Sequence, residues 1–91
     1  MSSKAEIGWV SQNDEGERFE HFARHVGKQW RFFVRQRRFD QWQAVETPPL
    51  EDWLELLAAV RRRVVRRLYQ PADVDRLLRM IRERFPESEV K

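Results

Sequence analysis

Glu17, His21 and His25 recur every four residues. On a helix, that spacing would set a carboxylate and two imidazoles on one face, one turn apart. Carboxylate and imidazole are the donor types of a divalent-metal site. The pattern falls short of the His-Glu-x-x-His zinc motif, because Phe22 and not a glutamate follows His21. The trio also points away from Phe19, Phe22 and Val26, and no supporting shell for a metal stands nearby. A solvated polar face is the expectation, with no metal.

Arginine is the second chemical signal. Of the 18 basic residues, 15 are Arg, and they gather in two stretches, Arg18–Arg38 and Arg61–Arg84, each with a charge of +6. Arg offers a planar fork to phosphate or carboxylate. The run Arg61-Arg62-Arg63-Val64-Val65-Arg66-Arg67 covers two helical turns, so its members cannot all face one ligand. Arg62, Arg63 and Arg66 form the outermost subset and the candidate anion contact. Arg31, Arg35 and Arg38 form a second candidate, interleaved with Phe32 and Phe39. Charge and rings on one surface could hold nucleic acid by stacking, and Arg and aromatics are equally at home in a protein interface. The bland alternatives are a solvated, partly ion-paired surface for the arginines and a core position for the rings.

Catalytic signatures are missing. Glycine occurs only at positions 8, 16 and 27, which leaves no Gly-rich phosphate loop, and no Ser-His-Asp spacing stands out. With no cysteine, disulfides, thiolate metal sites and a thiol nucleophile are excluded. Neither a catalytic residue nor a cofactor is expected. No apolar run approaches the roughly 18 residues of a membrane span. The first residues carry no apolar secretory core, so a cytoplasmic protein is expected.

Helices are the elements expected to position these groups. Residues 1–13 are expected to form a flexible leader, with Ile7-Gly8-Trp9-Val10 as its apolar content and a short extended piece as the alternative. Asp14 and Glu17 resemble a capping box. Phe19, Phe22, Ala23, Val26, Trp30, Phe33 and Val34 then recur at helical spacing. This predicts a long first helix to about Glu46, with Gly27 as a kink point costing about 1 kcal/mol. Trp30–Arg35 has strand propensity too, but no turn signal is evident before it.

Thr47-Pro48-Pro49 marks the clearest boundary, with Thr47 as cap and Pro48 at the first helical position. Leu50, Trp53, Leu54, Leu57, Val60, Val64 and Leu68 make the stripe of the next helix, acidic at its start and basic at its end. Pro71 and Asp73 open the last helix, whose stripe is Val74, Leu77, Leu78, Ile81 and Phe85. The predicted fold is therefore all-α. It is a bundle of about three helices over 14–86, the last two an antiparallel hairpin, with a polar tail over 87–91.

Four aromatics fall outside the stripes: Trp9, Phe32, Phe39 and Trp42. They motivate the leading functional expectation, a non-enzymatic module that binds another protein or a second copy of itself. Nucleic-acid binding through the Arg faces is the alternative.

Overall fold

The computed structural model describes residues 6–38 and 40–88. The elements in chain order are β1 (Glu6–Gln12), β2 (Arg18–Val26), β3 (Gln29–Arg35), β4 (Gln43–Val45), α1 (Leu50–Val65) and α2 (Pro71–Arg84). They divide into two compact units, one ending at Pro48 and the other beginning at Pro49.

The first unit overturns the all-α expectation. Its four strands form one antiparallel sheet in the order β1-β2-β3-β4. β2, β3 and β4 stand where a long helix was predicted, and β1 is built from the stretch assigned to a flexible leader. Two glycines turn the chain. Gly27-Lys28 is a two-residue connection between β2 and β3, and Gly27 alone in it has positive φ, 60°. That is the demand of a type II′ hairpin turn, whose twist matches the strands it joins. The glycine expected to weaken a helix is the residue a hairpin needs.

The β1–β2 connection replaces the predicted helix start. Asn13, and not Asp14, organises it. The Asn13 Oδ1 accepts from the backbone N–H groups of Glu15 and Glu17, both at 2.9 Å. Gly16, at φ 84°, closes the loop with its N–H donating to the Asn13 carbonyl at 3.0 Å. Side chain and backbone of one Asn thus satisfy the donors of a tight loop.

Strand alternation sorts the side chains onto two faces. One face carries the buried row Ile7–Ala23–Phe32, in direct cross-strand register. Trp9 sits beside that row on the same face. It stacks on His21 at 5.4 Å and meets Phe32 edge-on at 6.0 Å. Trp9 is therefore held within its own sheet and does not belong to a mobile leader.

The second unit is a pair of helices in contact. The Arg84 guanidinium lies 5.0 Å from the centre of the Trp53 ring, which brings the end of α2 beside the start of α1. Trp53, Leu56, Leu57, Ala59, Val60, Leu77 and Ile81 are buried. Leu54, expected in the stripe, is exposed, and Leu56 is buried instead. α1 starts two residues later than predicted, with Pro49 as its N-cap. At α2, Pro71 opens the helix and the Asp73 carboxylate accepts the Gln70 N–H at 2.8 Å, an acid placed at the positive end of the dipole. Burial pushes the Tyr69 phenol above its ordinary value, against the opposing pull of Arg63.

α1 ends in a Schellman motif. The Leu68 N–H donates to the Arg63 carbonyl at 2.8 Å and the Arg67 N–H to that of Val64 at 2.9 Å. The position that glycine usually fills is occupied by Arg67, at φ 64°. A side chain there crowds the following carbonyl. Arg67→Gly is expected to stabilise the helical unit by about 0.5–1 kcal/mol, the relief of strain exceeding the entropy glycine adds to the unfolded chain. Urea unfolding followed by helical circular dichroism measures it.

Candidate interaction face

The sheet face opposite the Ile7 row gathers the rings and charges with the clearest binding potential. Its central row runs Gly8–Phe22–Phe33–Ala44 across the four strands. Phe22 and Phe33 stack at 4.6 Å, and Trp42, just before β4, meets Phe22 edge-on at 4.7 Å. Such pairs gain about 0.5–1.5 kcal/mol beyond burial. They also hold a ridge of three rings rigidly in place.

Charged rows flank the ridge. On one side lie Val10, Glu20 and Arg35, and on the other Glu6, Arg24 and Arg31. The Arg35 Nε donates to Glu20 at 2.7 Å while the guanidinium lies 4.3 Å from the Trp42 ring centre. Arg24 contacts Glu6 at 2.6 Å and sits 5.5 Å from Phe22 and 5.8 Å from Phe33. Both arginines are thus matched by a carboxylate and laid against rings. Arg31 has no ion pair among the described residues.

Beside the ridge, Gly8, Val10, Glu20, Phe22, Arg24 and Trp42 border an open groove of about 630 Å³. Gly8 has no positive φ, and a Cβ there would meet only the His21 carbonyl at 3.4 Å. Its backbone therefore does not demand glycine. What the missing side chain does is leave the groove open next to Phe22.

The predicted site residues are redistributed. Arg31 and Arg35 lie on the ridge face, but Phe32, expected between them on the same surface, points to the other face and is 3% exposed. A strand puts neighbours on opposite sides, so Phe32 is core and Phe33 takes the surface role. Trp42 is on the ridge, 37% exposed. Trp9 is half-buried on the Ile7 face. Arg38 is exposed in the turn after β3, and Phe39 lies outside the described residues. In the second unit, Arg62 is exposed, Arg63 donates to its own helix at the Ala59 carbonyl at 3.3 Å, and Arg66 caps α1. Phe22, Phe33, Arg24, Glu20 and Gly8 were missed. Their signal is the alternation Phe22-x-Arg24 and Arg31-x-Phe33-x-Arg35, with Gly27-Lys28 as the intervening turn.

The Glu17, His21, His25 trio is dispersed. Four residues along a strand span about 13 Å, more than twice a helical turn. Glu17 accepts from Asn13 at 2.7 Å, and His25 stacks on Trp30 at 4.4 Å. His21 lies 2.7 Å from the Ser11 Oγ through its Nε2. A serine beside an imidazole is the start of a nucleophile–base pair, but a third group must orient the base. Among the described residues no carboxylate bonds the other ring nitrogen of His21, whose ring stacks on Trp9.

No protein-family model, curated protein or solved structure matches the chain. No helix among the described residues is long and apolar enough to cross a membrane.

Proposed function

We propose that the chain is a non-enzymatic interaction module that binds an apolar segment of another protein through the Phe22–Phe33–Trp42 ridge. The observation that carries this reading is the pairing of Arg24 with Glu6 and of Arg35 with Glu20 on either side of the rings. Phosphate would have to displace those carboxylates, whereas an aromatic centre with a charge-balanced polar rim matches the anatomy of a protein interface. Nucleic acid is the second reading, favoured by Arg31 and by the exposed Arg62 of the second unit. A cytoplasmic setting is part of the same proposal, and the lack of cysteine is compatible with it.

The test uses the full chain as bait beside a Phe33→Ala, Trp42→Ala variant shown to be folded by circular dichroism. A protein retained by the native bait, and lost with the variant, is the expected result. A fluorescent single-stranded oligonucleotide is titrated in parallel. Affinity that falls steeply with salt, tracking the number of phosphates neutralised, would replace the protein reading with the nucleic-acid one.

A further inference from the structure

We infer that the free edge of β1 is a homodimer interface, at which Val10 of one copy lies over Gly8 of the other. This rests on the interaction-module reading and names one partner for it, a second copy of this chain.

β1 is a seven-residue strand hydrogen-bonded only to β2, so its other edge pairs with no strand among the described residues. Sheet edges of this kind are usually blunted by proline, lysine or a bulge. Glu6–Gln12 contains no proline or lysine, its one charged residue, Glu6, is paired with Arg24 of β2, and its register against β2 runs without interruption from Glu6 to Gln12. Unpaired backbone groups along such a strand are a template for another strand.

The sequence of β1 selects the register. A two-fold dimer pairs a strand antiparallel to itself, and all seven residues are paired only when the axis passes through Trp9. Gly8 then faces Val10 of the second copy, Ile7 faces Ser11 and Glu6 faces Gln12. No like charges are opposed, which direct cross-strand pairing penalises. Gly8 and Val10 share the ridge face with Phe22. Val10 is 49% exposed in the single chain, and Gly8 leaves open the groove beside Phe22. Each Val10 therefore meets the vacancy left by the other copy's glycine. Phe22 is stacked towards Phe33 and does not cover it. Side chains opposite one another across a pair lie on the same face, so the four strands of each copy would form one continuous sheet with both aromatic ridges on one side. A bivalent partner would bind such a dimer more tightly than a single chain.

Sedimentation equilibrium of the full chain at two salt concentrations gives the first measurement. The expected mass is twice 11.2 kDa at both, because backbone hydrogen bonds and an apolar contact are little screened. Val10→Lys should weaken the dimer by about tenfold or more, while its lysine can pair with Glu20 across the β1–β2 ladder and spare the fold. Register is tested with thiols, since the chain has no cysteine of its own. A mixture of Gly8→Cys and Val10→Cys chains should form disulfide dimers in excess of either variant alone, because only the mixed pair brings the two Cα atoms within disulfide range. A monomer at both salt concentrations overturns the proposal. So does a dimer unaffected by Val10→Lys, or cross-linking with no preference for the mixed pair. These outcomes leave the ridge reading standing or falling on the Phe33→Ala, Trp42→Ala capture alone.

Discussion

Phe32→Ala is expected to unfold the sheet unit under mild conditions, while Phe33→Ala, one residue on, leaves it folded. Phe32 is 3% exposed, in register with Ala23 and against the edge of Trp9. Truncating a buried phenylalanine costs about 3–5 kcal/mol in lost transfer energy and residual cavity. A chain of this size has roughly 5–14 kcal/mol to lose in total. Phe33 is half-buried and loses mainly its stack on Phe22, worth about 1 kcal/mol. The measurement is urea unfolding of both variants by circular dichroism and tryptophan fluorescence, with Trp9, Trp30 and Trp42 in the sheet unit and Trp53 in the helical one. Equal destabilisation by the two substitutions would contradict the two-faced sheet described above.

Trp53→Ala carries the other large effect, in the helical unit. Trp53 is 2% exposed, and the guanidinium of Arg84 lies over its ring. Its loss is expected to cost about 3–5 kcal/mol for the ring, plus about 0.5–2 kcal/mol for the cation–π contact. α1 has 16 residues and α2 has 14. Isolated helices of that length are marginal in water, so each depends on packing for its helicity. The helical circular dichroism signal should therefore fall at a much lower urea concentration in Trp53→Ala, with Trp53→Phe intermediate. Arg84→Ala should remove only the smaller part.

The ridge face and the helical unit differ in how openly the sequence displays them. In the helices, the governing signals lie within a few residues of one another. Pro71 and Asp73 set the start of α2, and acids precede bases along α1. The spacing of Trp53, Leu57 and Val60 marks one face. The precise arc remained hidden, and Leu54 and Leu56 exchanged places. Which side of a helix is buried depends on what it packs against, and periodicity alone locates it to within about one position.

In the sheet, apolar residues stand on both faces. Ile7, Ala23 and Phe32 fill one side, and Val10, Phe22 and Phe33 the other. With rings on both sides, the strict alternation that marks a half-buried strand is blurred. Phe19, Phe22, Ala23 and Val26 then fall at helical spacing by coincidence. The decisive clue was Gly27. Inside a helix it is only a weak point, and between two strands it is the residue that admits the turn.

By itself, then, the sequence determined the two helices, the boundary at the Pro48–Pro49 pair, the lack of thiol chemistry and the dominance of Arg among its bases. Each of these depends on composition or on residues within one or two turns. Tertiary structure alone decided that Phe33 and not Phe32 meets solvent. It also decided that Arg24 and Arg35 are matched by Glu6 and Glu20, and that Gly8 leaves a groove beside Phe22. Those facts depend on strand register between residues up to 18 positions apart. A shift of one residue moves every side chain to the opposite face, so the local alternation around Gly27-Lys28 can suggest strands but not their register or which face is buried.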